Sequence, residues 1–251
     1  MTHGHRAPRS RKRYASERGS PSEPSGGHDS VFVWWGFDGG GVVSTFVPGS
    51  GPDREDAAAF VGRVARWDQQ GPVRLRQDGA LVRLWGTTPF DTLVTRAVTG
   101  SVEPSDVTVY AGNLLVGLAV SAADRVDPGT AVDALWRSQL PPAGGWIAVD
   151  SIPAATVAEL TEQGTSVARV TAGPAGGASS SLLDQEVLTV AGSGMTVAVP
   201  LRVLFALSGM GFASDSSGEQ VHVRATDSWL RLDARFGSVV RRRHALLPLF
   251  V

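Results

Sequence analysis

The sequence predicts an α+β fold of two β-β-α-β-β-β units, in the manner of an internal duplication, joined by a helical segment. Three observations predict it. The stretch Val221-His-Val-Arg-Ala-Thr-Asp-Ser-Trp-Leu-Arg-Leu232 lies without a gap over Val73-Arg-Leu-Arg-Gln-Asp-Gly-Ala-Leu-Val-Arg-Leu84, and both have the alternation of a β-hairpin. Each hairpin follows an apolar helical stretch, 57–67 or 200–211. Each helix in turn follows two apolar segments turned by glycine, within 31–47 and 186–199.

Residues 1–30 are rich in Arg, Ser, Pro and Gly and lack an apolar run, so they are expected to form a disordered basic tail without a signal-peptide core. The first unit covers 31–122. Val31-Phe-Val-Trp-Trp35 and Val42 to Val47 flank Asp38-Gly-Gly-Gly41, whose glycines supply a hairpin turn. From Asp53 to Trp67, the spacing of Ala57, Phe60, Val61, Val64 and Trp67 predicts an amphipathic helix with acids at its positive end. Strands follow at 73–76, 80–85 and 92–98, with Val73, Leu75, Val82 and Leu84 inward. Val107 to Tyr110 suits a strand and Asn113 to Val120 a helix.

Residues 123–181 are expected to be a helical bridge and flexible connector. Asp127-Pro128 opens one helix toward Trp136, and Ser151 with Pro153 opens another that Gly164 closes. The second unit covers 182–251, with a turn at Gly192-Ser-Gly194, a helix from Leu201 to Met210 stopped by Gly211, a turn at Asp227-Ser228 and a last strand from Ser238 to Arg243.

With 42% hydrophobic residues the 251-residue chain can bury a core, and its zero cysteines exclude disulfides, thiolate metal sites and cysteine nucleophiles. Only His222 and His244 lie beyond the tail, and His222 replaces Arg74 of the first hairpin on the face expected to be wet. Gly39-Gly-Gly41 and Gly49-Ser-Gly51 lack the spacing and the lysine of a phosphate loop, and Ala191-Gly-Ser-Gly194 sits between strands rather than at a nucleophile elbow. Asp91 and Asp233 near strand ends are assigned to turns. No catalytic residue, metal site or cofactor is assigned, and the balance of motifs leans away from an enzyme.

The formal charge of −1 is unevenly placed, with basic ends and an acidic middle. Arg224, Arg231, Arg235, Arg241, Arg242 and Arg243, interleaved with Trp229, are the candidate nucleic-acid-binding residues, with the basic arm in support. A winged helix is excluded because Leu201, Val203, Leu204, Phe205, Leu207 and Met210 make the adjoining helix a core element. The apolar end, Ala245-Leu-Leu-Pro-Leu-Phe-Val251, returns to the core or docks on a second subunit in a homodimer.

The phrases Leu140-Pro-Pro with Gly145-Trp146, Val199 to Phe212 and Trp229 to Val239 resemble those of an uncharacterised actinobacterial protein family with no assigned activity. That resemblance implies a bacterial cytoplasmic setting and brings no site residue. The leading expectation is a non-catalytic cytoplasmic protein that binds another macromolecule, above all a protein, with no membrane association. Nucleic-acid binding through the Arg/Trp hairpin comes second, and an enzyme with a site between the two units third.

Overall fold

A nearly palindromic strand order explains why the two hairpins look alike. The computed structural model describes residues 44–120, 124–171, 178–213 and 218–243, all within one compact unit. The basic tail, the segment Val31 to Trp35, His244 and the apolar end 245–251 lie outside the described residues. The first half runs β1 (Thr45–Pro48), α1 (Gly51–Trp67), β2 (Pro72–Asp78), β3 (Leu81–Thr87), β4 (Leu93–Glu103), β5 (Asp106–Tyr110) and α2 (Ala111–Val120). The second runs β6 (Ile147–Pro153), α3 (Ala154–Thr171), α4 (Ser180–Leu183), β7 (Glu186–Gly192), β8 (Met195–Pro200), α5 (Leu201–Gly209), β9 (Gln220–Ala225), β10 (Trp229–Ala234) and β11 (Gly237–Arg242). The fold is therefore α+β, and the second half shows the β-β-α-β-β-β order in full.

The main sheet has the order β5-β2-β3-β4-β11-β10-β9-β6, with β1 paired to the far end of β4, while β7 and β8 form a separate hairpin. Thus β2-β3-β4 is answered by β9-β10-β11, and the hairpins matched in sequence occupy equivalent places. Val73, Leu75, Val82 and Leu84 are buried as expected, and Val221, Val223, Leu230 and Leu232 are their counterparts. Against this face pack Phe60, Val61 and Val64 of α1 and Val203, Leu204 and Leu207 of α5, in one continuous core.

The segment between the units departs from the helical expectation. Residues 124–146 form an irregular strap whose only helical turn is Asp133–Leu135. Its backbone groups are engaged elsewhere: Val126 exchanges hydrogen bonds of 2.7 and 2.9 Å with Phe46, and Val132 N–H donates to Thr108 O at 2.7 Å. Asp127, expected as a helix start, instead accepts from Gly129 N–H at 2.8 Å. The next helix begins at Ala154 and runs through Gly164, where a Cβ would lie 2.6 Å from Leu201 Cδ1. Gly164 marks a close helix approach, not a stop.

The halves meet through β4 and β11, with Leu93, Val94 and Thr95 opposite Val240, Val239 and Ser238. Behind that seam Phe90 meets Trp67 and Phe205 edge to face, with ring centroids 5.9 and 5.8 Å apart. A Cβ on Gly209 would stand 2.8 Å from Trp67 Cζ2. Gly209→Leu is therefore expected to lower stability by about 1–3 kcal/mol through overpacking. Gly144→Ala, which meets nothing within 4 Å, should shift it by less than about 0.5 kcal/mol; urea midpoints measure both.

Helix α1 opens on Ser50, whose hydroxyl accepts from Asp53 N–H at 3.2 Å. Hydrogen bonds to the Asp53 carboxylate from the Ser50 hydroxyl, and then from the Thr99 hydroxyl, hold its pKa below the ordinary 3.8. A depressed folded-state pKa stabilises fully above the unfolded value and is lost as pH falls through the folded one. Melting temperatures followed below pH 3.8 should fall less steeply for Asp53→Asn than for the wild type.

Candidate functional site

Strand alternation sends Arg74, Arg83, Trp85, Leu93, Trp229, Arg231 and Val240 to the sheet face away from the helices. Such a face is normally wet, yet Trp85, Leu93, Trp229 and Val240 are only 5, 6, 7 and 0% exposed and form a second apolar cluster. The strap covers them with Trp136, Leu140 and Trp146. Guanidinium groups hold the indoles in place. Arg74 stands 5.9 Å from the Trp136 ring, Arg231 5.7 Å from Trp146 and Arg242 5.1 Å from Trp229. Arg74 is oriented by a two-pronged bond to Asp106 at 2.6 and 2.7 Å, which also raises its pKa.

Two cavities flank the strap. The larger, about 550 Å³, opens over the β4–β11 seam and is lined by Thr87, Thr88, Asp91, Thr92, Leu93, Ser138, Gln139, Trp229, Val240, Arg241 and Arg242. It joins an aromatic and aliphatic floor to a rim of hydroxyl, amide and guanidinium groups, and its volume suits a small ligand or a few side chains of a peptide. The smaller, about 230 Å³, lies between Trp85, Arg76, Arg83 and Arg231 on one side and Leu140 to Ala143 on the other.

A charge network from four elements fixes the wall of the larger cavity. Arg202, buried in the first turn of α5, donates to Phe90 O at 2.9 Å and pairs with Asp184 at 2.6 Å and Asp91 at 3.7 Å. Arg241 pairs with the same two carboxylates, at 3.1 Å to Asp184 and 3.7 Å to Asp91. Arg242 stands differently. Its described partners are the Gln139 side-chain oxygen and the Trp229 ring, with no carboxylate among the described residues.

The residues assigned from sequence are thus partly gathered. Trp229, Arg241 and Arg242 line the larger cavity and Arg231 the smaller. Arg224 and Arg231 share Asp233 at 3.1 and 2.6 Å. Arg235 lies at the β10–β11 turn against Phe236, and Arg243 is bound to Thr226 O and Thr196 O at 2.9 and 3.0 Å, away from both cavities. The threonines, Ser138, Gln139 and the strap tryptophans were not assigned, since only tertiary packing brings them to the sheet. Trp136 and Trp146 around Pro141-Pro142 were the available signal. Ser151 Oγ and His222 Nδ1 lie 2.7 Å apart on the exposed surface, lining neither cavity. Among the described residues no group of three or more His, Asp or Glu is placed to hold a metal ion. No described helix is long and apolar enough to cross a membrane.

The fold is similar to that of DNA polymerase sliding clamps. The beta sliding clamp of Caulobacter crescentus matches with a TM-score of 0.52 at 12% identity, over 82% of this chain and 66% of that one. The sliding clamp of Bacillus subtilis matches with a TM-score of 0.52 at 13% identity, over 82% and 66%. The chain therefore spans about two thirds of the length of these clamps. At such identities the likeness is one of fold. Residues 44–138 match the family model described as Domain of unknown function (DUF8010), and residues 141–246 the one described as Domain of unknown function (DUF8185). No curated protein matches the sequence.

Asp184→Ala removes the nearest carboxylate from both Arg202 and Arg241. Leaving a buried guanidinium short of an acceptor should cost about 1–3 kcal/mol, read as a lower denaturant midpoint with an unchanged slope.

Proposed function

We propose that the protein is a non-catalytic scaffold that docks an extended segment of a partner protein in the groove over the β4–β11 seam. The observation that carries this reading is the larger cavity, where Leu93, Trp229 and Val240 form the floor and Arg242 offers a guanidinium with no described carboxylate. Apolar seats beside a few fixed polar groups are the chemistry of peptide recognition. The clamp-like fold supports a binding role over a catalytic one. Asp91, the acid among the lining residues, faces Arg202 and Arg241, which suits a structural carboxylate better than an acid–base group. A cytoplasmic, actinobacterial setting and assembly with further copies belong to the same proposal.

Nucleic acid is the second reading, favoured by the arginines near Trp229. Charge pairing weighs against it, since Arg224 and Arg231 face Asp233 while Arg241 faces Asp184. Helices α1 to α3 are not basic either. In α1 Arg54, Arg63 and Arg66 are balanced by Asp53, Glu55 and Asp56, α2 has no charged residue, and α3 carries Glu159 and Glu162 against Arg169. Electrostatic attraction to a polyanion needs an excess of positive charge that these elements do not supply.

Peptides selected from a displayed random library should bind the full chain and lose at least about tenfold in affinity, or about 1.4 kcal/mol, with Leu93→Asp or Arg242→Glu. Val120→Asp on the exposed side of α2 should leave binding unchanged. Absence of any selected peptide, together with salt-sensitive retardation of duplex DNA in gels, would favour the second reading.

A further inference from the structure

The docking groove has an occupant already. Residues 137–146 of the strap cross its centre, with Ser138 and Gln139 walling the larger cavity and Leu140 to Ala143 the smaller. Beneath them run Trp85, Leu93, Val240 and Trp229, one apolar cluster of which Trp85 lines the smaller cavity and the other three the larger.

How the strap is held is uneven. Upstream it is pinned by the Val126 bridge to Phe46, by Val132 N–H to Thr108 O and by Thr108 N–H to the Asp133 carboxylate at 2.6 Å. Downstream, Ile147 enters the ladder opposite Ala225. Between Trp136 and Ile147 no backbone–backbone hydrogen bond is made among the described residues, and every residue from 137 to 146 is exposed or half-buried. What holds this span is the seating of Trp136, Leu140 and Trp146, the Gln139–Arg242 side-chain bond and an internal bond from Trp146 Nε1 to Pro142 O at 3.1 Å. Segments secured by side-chain contacts between firmly paired ends open locally, without unfolding the sheet.

We propose that residues 137–146 are a displaceable cover on the docking groove, an intramolecular competitor that a partner segment must replace. This rests on the docking reading and names its regulation. The strap's own contacts define what replaces it: an apolar side chain for the seat of Leu140, next to an acceptor for Arg242. Gln139 fills the second role with a neutral amide. A carboxylate makes the stronger, charge-assisted bond to a guanidinium, so an extended segment with Asp or Glu beside Leu or an aromatic residue outcompetes the strap.

The same chemistry permits a test that moves the cover both ways in the full chain. Gln139→Ala and Leu140→Gly loosen it, whereas Gln139→Glu tightens it by giving Arg242 a carboxylate. Nile red, a neutral dye that brightens on apolar surface, should fluoresce severalfold more with the loosened variants than with the wild type, and least with Gln139→Glu. All four proteins should melt cooperatively within a few degrees of one another. Equal dye binding in all four, or dye binding that tracks a fall in melting temperature, would overturn the proposal. The dye needs no partner, so its ordering can hold even if peptide selection fails. Conversely, peptides that bind wild type and Leu140→Gly alike would remove the cover and leave docking intact.

Discussion

The seam between β4 and β11 is the constraint from which the rest follows. Three residue pairs, Leu93–Val240, Val94–Val239 and Thr95–Ser238, turn two similar halves into one sheet. Their alternation sends Val94 and Val239 to the helix-packed core and Leu93 and Val240 to the opposite face. A one-residue slip would exchange those destinations, stripping the core and the groove floor together. The seam is reinforced from behind by the Trp67, Phe90 and Phe205 rings and from one end by Arg202, Asp184, Asp91 and Arg241. Because Arg241 and Arg242 adjoin Val240, the bonds that fix the seam also aim the groove's guanidinium groups.

The outer face departs from the usual wet side of an antiparallel sheet. Antiparallel sheets commonly leave one face to solvent; here that face carries indoles beneath arginines and an irregular segment laid across them. The strap also shields a strand edge, since Asp133 and Val132 take up the free backbone groups of Thr108 on β5. Open edges invite pairing with other chains, and the strap covers this one at Thr108.

Much of the architecture was legible in the sequence because it depends on local period and turn chemistry. The stretch from Asp53 to Trp67, the alternating hairpins and the apolar run Leu201 to Met210 specify their elements without help from distant residues. The equivalence of Val73 to Leu84 with Val221 to Leu232 extends to their places in the sheet. Residues 124–146 were less legible. Asp127-Pro128 is a sound helix start by local rules, but the hydrogen bonds of Val126 and Val132 to Phe46 and Thr108 are long-range and override it. Gly164 likewise has the character of a helix stop until Leu201 is placed beside it. The groove was half legible: Trp229, Arg241 and Arg242 stood out as residue types, whereas Thr87, Thr92 and Gln139 acquire meaning only beside them.

Hydrogen–deuterium exchange on the complex with a selected peptide tests the central claim most directly, because it reports where protection falls without altering the protein. Protection at 87–93, 229 and 240–242, with faster exchange at 137–146 where the strap is displaced, is the result the groove over the seam requires. Protection confined to α1, α2 and α3, with those segments unchanged, would place the binding surface on the helices and contradict it.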